Sequence, residues 1–187
     1  DNTFSINLSA ESVDGLSGGD FVQMSVKENA NDSFRYGEDE FDHPNPAMNS
    51  FIDLYFDKSE WLGSTDQNGV MVDNPYFSHD VRSLDLDAQA WNIKGNLYNV
   101  SGDIELSWTM DESDQEVHLL ILGEAYNMRE VSSVTVSSLD EVTVVLGDLQ
   151  SYLAPSEFAL SSSYPNPFNP STSMDLSLSE SGYVSVK

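Results

Sequence analysis

Alternation of apolar and polar residues with a period of two is the dominant pattern from residue 1 to residue 150. Phe4–Ala10 alternates without a break, and Ile104–Met110 does so again. Successive side chains of a β-strand point to opposite faces, so this pattern predicts strands that are buried on one face. The run EVHLLILGE at 116–124 is almost continuously apolar, which predicts a central strand.

Turn-forming sequences separate the strand-like runs and leave no room for long helices. DGLSGGD, STDQNG and MDESDQE are rich in Gly, Asp, Asn and Ser, the residues that favour turns. No stretch above about ten residues has a helical period. The sequence therefore predicts an all-β fold, with an antiparallel β-sandwich of the immunoglobulin or jelly-roll kind over residues 1–150.

The charge balance excludes several classes of partner. The chain has thirty-two acidic residues and seven basic ones, which gives a net charge of −25. A phosphate backbone or an anionic membrane surface requires a basic protein surface, so neither fits this chain. The chain has no cysteine, which excludes thiol nucleophiles and Cys-ligated metals. No apolar run approaches the ~20 residues of a transmembrane helix.

The C-terminal sequence differs from the rest of the chain. Residues 151–163 are rich in Ser and Pro and predict a linker, and residues 164–187 contain two further strand-like runs, MDLSLSES and YVSVK. The segment YPNPFNPST and the later turn ESGY resemble the opening of the C-terminal sorting domain of type IX secretion substrates. The matching residues are Tyr164, Pro165, Asn166, Pro167, Phe168, Asn169, Pro170 and Gly182.

This resemblance covers about the last thirty residues, and the later strands of the family's domain have no counterpart here. It implies a secreted or cell-surface protein of a Gram-negative bacterium, with the type IX translocon of the outer membrane as its partner during export. Residues 1–150 more loosely resemble β-sandwich modules that precede such domains in large secreted proteins. Neither resemblance carries a catalytic activity.

Acidic loops are the candidate metal sites. Calcium prefers six to eight oxygen ligands, and the loop GEDEFDH offers Glu38, Asp39 and Asp42. We therefore predict a possible calcium site there, with a plain solvated loop as the alternative, since no acidic loop has EF-hand spacing. The sequence predicts no other cofactor.

Aromatic residues are the candidate ligand-binding groups. Trp91 and Trp108 lie in alternating runs and are predicted to be core residues, whereas Trp61 and Tyr76 lie near loops and are predicted to be exposed. An exposed pair of rings could stack on sugars.

No catalytic motif occurs in the sequence, and its histidines are not paired. These features favour a non-catalytic secreted or cell-surface protein, structural or adhesive, with self-association or a surface polysaccharide as partner. The sharper form of this hypothesis is a filament subunit assembled by β-strand addition. The alternatives are a carbohydrate-binding accessory module of a larger secreted enzyme and, third, a hydrolase that uses paired carboxylates.

Overall fold

The computed structural model describes residues 3–45, 48–84, 88–154, 159–160, 173, 175–178 and 185, with the backbone alone at 159–160. The chain divides into two compact units, 1–148 and 149–187. The first unit contains the strands β1 (Thr3–Ser12), β2 (Asp20–Lys27), β3 (Glu40–Phe41), β4 (Phe51–Asp57), β5 (Tyr76–Ser83), β6 (Ala88–Tyr98), β7 (Ile104–Met110), β8 (Val117–Ile121), β9 (Glu124–Asn127), β10 (Ser133–Val136) and β11 (Val142–Gly147).

These strands form one continuous hydrogen-bonded sheet. Its order is β10-β7-β1-β2-β5-β4-β6-β11-β8-β9, and β3 pairs with β5 beside this path. The sheet curls because β4 changes partner along its length: residues 51–55 pair with β6, whereas Phe56 and Asp57 pair with β5. The all-β prediction is confirmed.

One strand pair departs from the antiparallel arrangement expected from the sequence. β2 and β5 run parallel, with Gln23 opposite His79 and Lys27 opposite Ser83. A parallel pair needs a long crossover connection, and the segment between these strands supplies it by carrying β3 and β4. Alternation alone does not distinguish the two directions, so this feature had no signal in the sequence.

A single hydrophobic core lies against one face of the sheet. In β1, Phe4, Ile6, Leu8 and Ala10 are buried while the residues between them are not. The same core includes Trp91 and Trp108, as predicted. β11 is buried along five consecutive residues, so the sheet is covered on both sides there.

A buried ion network accompanies this core. Asp80 is 1% exposed. One of its carboxylate oxygens accepts hydrogen bonds from Lys58 at 2.8 Å and from the guanidinium of Arg82 at 2.8 and 3.0 Å. Burial of this charge is tolerable because two cations face it.

The second unit is less completely described. It contains a short helix, α1 (Leu149–Leu153), and an antiparallel pair formed by β12 (Ala159–Leu160) and β13 (Leu176–Ser177). The predicted sorting motif, Tyr164–Pro170 with Gly182, lies outside the described residues. In the part of the chain that the structure describes, no helix has both the length and the apolar character needed to cross a bilayer.

Candidate ligand-binding face

Strand β4 presents a row of polar and aromatic side chains on the face opposite the core. Ile52, Leu54 and Phe56 are almost fully buried and belong to the hydrophobic core. Because neighbouring side chains of a strand alternate, Phe51, Asp53 and Tyr55 share the other face. Three residues of the sequence FIDLYF therefore belong to the core and three to an outer surface.

Strand β6 continues this outer surface. Phe51 lies opposite Tyr98, and Asp53 lies opposite Asn96. The rings of Phe51 and Tyr98 stack with centroids 4.5 Å apart. The Asn96 amide nitrogen lies 3.4 Å from a carboxylate oxygen of Asp53 and 3.3 Å from the hydroxyl of Tyr55. The cross-strand register thus places the Asn96 amide between the Phe51–Tyr98 pair and the ring of Tyr55.

Tyr76, the first residue of β5, completes the second aromatic pair. Its ring meets Tyr55 edge to face, with centroids 4.8 Å apart. Tyr76 is 44% exposed and Tyr98 is 43% exposed, so one ring of each pair faces solvent. We call this surface the aromatic–acid face. It is formed by Phe51, Asp53, Tyr55, Tyr76, Asn96 and Tyr98.

Three carboxylates converge beside this face. One oxygen from each of Asp20, Asp42 and Asp53 lies within 4.8 Å of the others. Asp20 is held by the backbone amide of Leu54, which donates to its carboxylate at 2.7 Å. Asp42 is held next to Tyr76, whose carbonyl accepts a hydrogen bond from the Asp42 amide at 3.0 Å.

Burial and the neighbouring carboxylates favour the protonated forms of Asp42 and Asp20. Burial raises the pKa of Asp42 to about 6, and repulsion from Asp53 and Asp20 adds to this effect. Burial also raises the pKa of Asp20, although hydrogen bonds from the amides of Leu54 and Phe21 oppose the shift. Desolvation and like charge both disfavour ionised carboxylates, which explains the direction of both shifts.

The loop predicted to bind calcium does not bring its three acidic residues to one point. Asp42 joins Asp20 and Asp53. Glu38 instead forms ion pairs with Lys27 at 3.1 Å and with Arg35 at 3.3 Å. Asp39 accepts hydrogen bonds from the amides of Arg35 and Val81, and its burial raises its pKa to about 6. Calcium in this region stays a prediction, and Asp42 with Asp20 and Asp53 brings together three carboxylate oxygens, fewer than the about six to eight oxygens that calcium takes.

Trp61 and Tyr76 do not form an exposed pair. Tyr76 is exposed as predicted, but the prediction that Trp61 is exposed is wrong, because Trp61 is only 8% exposed. Its ring packs edge to face on Phe77 at 5.3 Å and lies 6.2 Å from Phe34. Trp61 is therefore buried in a small aromatic cluster with Phe34 and Phe77, which are distant from it in the sequence.

A serine–histidine contact lies on the outer surface of β2 and β5. Nε2 of His79 lies 2.9 Å from Oγ of Ser25, which lies 2.9 Å from Oγ of Ser5. Ser25 is only 3% exposed, and burial lowers the pKa of His79. A nucleophile needs access to substrate and free donors for the developing oxyanion. Ser25 lacks this access, and its strand β2 is paired with β1 on one side and β5 on the other. We therefore assign this contact a structural role.

A cleft of about 460 Å³ adjoins the aromatic–acid face. Tyr55 and Asn96 belong to both the cleft and the face, and Lys94, Asp140 and Thr143 are among the other residues that line the cleft.

Comparison with known proteins gave no matching family model, no matching curated protein and no matching solved structure.

Proposed function

We propose that this protein is a non-catalytic structural or adhesive module of the cell exterior, and that it joins neighbouring subunits by β-strand addition at β10. The observation that carries this proposal is the uncharged edge of the sheet at β10. The C-terminal resemblance to a type IX sorting domain supports the extracellular location, with export by the type IX translocon.

β10 lies at one end of the sheet and pairs with β7 on its inner side. Within the described residues of the first unit, no strand pairs with its outer side. The surrounding run Ser132–Ser138, SSVTVSS, has no charged residue and no proline, in a chain with thirty-two acidic residues. Edge strands usually carry charges or prolines that prevent pairing with another chain. The β10 edge lacks this protection.

The opposite end of the sheet has such protection. Edge strand β9 carries Glu124, whose carboxylate accepts a hydrogen bond from the hydroxyl of Tyr126 at 2.5 Å. Arg129 and Glu130 follow β9 in the sequence. The two edges therefore differ in charge, and β10 is the better acceptor for an added strand.

The donor that we propose is the run YVSVK at 183–187 of another copy of the chain. Its alternating valines match the alternation of Val134 and Val136, which are both half-buried. Main-chain hydrogen bonds would provide affinity, and the valines would set the register. Repetition from copy to copy would produce a filament.

The test compares the full chain with two variants by multi-angle light scattering and negative-stain electron microscopy. We expect linear assemblies from the unaltered chain and monomers from Thr135→Lys, which places a charge on the exposed side of β10. Deletion of residues 183–187 should also give monomers. Thr65→Lys, the same substitution at an exposed loop position, is the matched control and should assemble normally. A monomeric unaltered chain, or normal assembly of Thr135→Lys, would refute the proposal.

A further inference from the structure

The aromatic–acid face presents two rings that are held in place before any ligand binds. Tyr98 is stacked on the half-buried Phe51, and Tyr76 is held against the half-buried Tyr55. Phe51 and Tyr55 are four residues apart on one strand, which separates the two pairs by about 13 Å. Rings that are already fixed lose little conformational entropy on binding. This spacing suits an extended chain molecule that contacts both pairs.

The surface between the two aromatic pairs is polar. The Asp53 carboxylate accepts hydrogen bonds only, whereas the Asn96 amide both donates and accepts. Asp53 is only 6% exposed, whereas Asn96 is half-buried and is the polar group that a ligand can reach. The Asn96 amide nitrogen makes only long contacts, 3.4 Å to Asp53 and 3.3 Å to the Tyr55 hydroxyl, which leaves the amide with hydrogen-bonding capacity for a ligand.

Sugars match this arrangement of rings and acceptors. A pyranose ring has C–H faces that pack on aromatic rings and hydroxyl groups around its edge that donate hydrogen bonds to amides and accept hydrogen bonds from them. The net charge of −25 and the three nearby aspartates disfavour anionic polymers such as uronate chains. The chemistry of the face therefore favours an uncharged polysaccharide.

We propose that the aromatic–acid face binds an uncharged polysaccharide chain, with sugar rings stacked on Tyr76 and Tyr98 and sugar hydroxyls bonded to the half-buried amide of Asn96. This inference does not depend on strand addition at β10, since it involves β4, β5 and β6. The cleft that shares Tyr55 and Asn96 with the face extends the surface along β6 toward the start of β11.

The experiment measures binding of the full chain to soluble polysaccharides by affinity gel electrophoresis. The neutral probes are hydroxyethyl cellulose, galactomannan and amylopectin, and alginate is the anionic probe. We expect retardation by at least one neutral polymer and none by alginate. In Tyr76→Ala and Tyr98→Ala the dissociation constant should rise about tenfold or more, because each change removes a stacking surface.

Tyr36→Ala is the matched control, since Tyr36 is an exposed tyrosine outside the face. It should bind as the unaltered chain does. Tyr76→Phe keeps the ring and should retain most of the affinity, which separates loss of stacking from loss of folding. Absence of retardation by all three neutral polymers, stronger binding to alginate, or unchanged affinity in both alanine variants would overturn the proposal.

Discussion

The ammonium of Lys58 lies 2.8 Å from a carboxylate oxygen of Asp80, and both side chains are almost completely removed from solvent. Arg82 donates to the same oxygen. Removal of one partner from a buried ion pair leaves an uncompensated charge, which is costly. We therefore expect Asp80→Asn to lower the free energy of unfolding by about 3–5 kcal/mol in urea titrations.

The control for this variant is Glu38→Gln. Glu38 also pairs with two cations, Lys27 and Arg35, but these groups are partly exposed. Exposed ion pairs contribute less than about 1 kcal/mol. Equal losses of stability in the two variants would show that the Asp80 network is not buried as described.

Gly95 is required for the close approach of the loop that precedes β11. A Cβ atom at residue 95 would lie 2.5 Å from the Cβ atom of Leu139. Gly95→Ala should therefore reduce stability by about 1–3 kcal/mol, the usual cost of overpacking. In a Leu139→Gly background, which removes that Cβ atom, the added methyl group should cost much less, and thermal denaturation of the four proteins gives the coupling energy. Additive effects would argue against the contact.

The raised pKa of Asp42 predicts how stability depends on pH. The carboxyl has a pKa of about 6 in the folded protein and about 3.9 in an unfolded chain. The folded state therefore binds its proton more tightly. This contribution to stability is fully present below pH ~3.9 and is lost as the pH rises through ~6.

Asp42→Asn cannot ionise, so it should be more stable than the unaltered protein by about 1–2 kcal/mol at pH 7.5 after solvent screening. This gain should disappear near pH 4. Urea titrations across this pH range measure it, and Asp73→Asn, an exposed aspartate outside the trio, controls for the lost charge. A gain that is independent of pH would contradict the assignment to Asp42.

Trp61 and Tyr76 should respond differently to truncation. Trp61→Ala removes a ring packed against Phe34 and Phe77, and large buried aromatic residues cost about 3–5 kcal/mol when truncated. Tyr76 is half exposed, so Tyr76→Ala should cost no more than about 1 kcal/mol. Thermal denaturation of the two variants checks this order, and the reverse order would contradict it.

The strands could be predicted from the sequence better than their arrangement could. Alternation in Phe4–Ala10 and Ile104–Met110 identifies β1 and β7, but it does not show that they are neighbours. The register depends on cores assembled from distant segments, which a local pattern does not contain. The prediction that Trp61 is exposed was wrong because Phe34 and Phe77, which bury its ring, lie on other segments of the chain.

The candidate site was only partly accessible to sequence reasoning. The alternation in FIDLYF places Asp53 and Tyr55 on one face, which is a local signal that could have been used. Asp42 was a candidate because it lies in the acidic loop GEDEFDH, but Asp20 and Asp53 come from two other segments, and the many other acidic residues gave no reason to select them. Tyr76 was predicted to be exposed because it lies near a loop.

The pairing of β1 with β7 has a consequence for the order of folding. The amide of Ser5 donates to the carboxylate of Asp111, a contact that spans 106 residues. Contacts between residues so distant in sequence slow folding, because the loop entropy is lost before the contact stabilises the chain. During synthesis β1 can pair with β2, but its other edge must wait for β7. Any fragment that ends before residue 104 leaves one side of β1 unpaired, so the unit is expected to fold only once both ends of the β1–β7 pair are available.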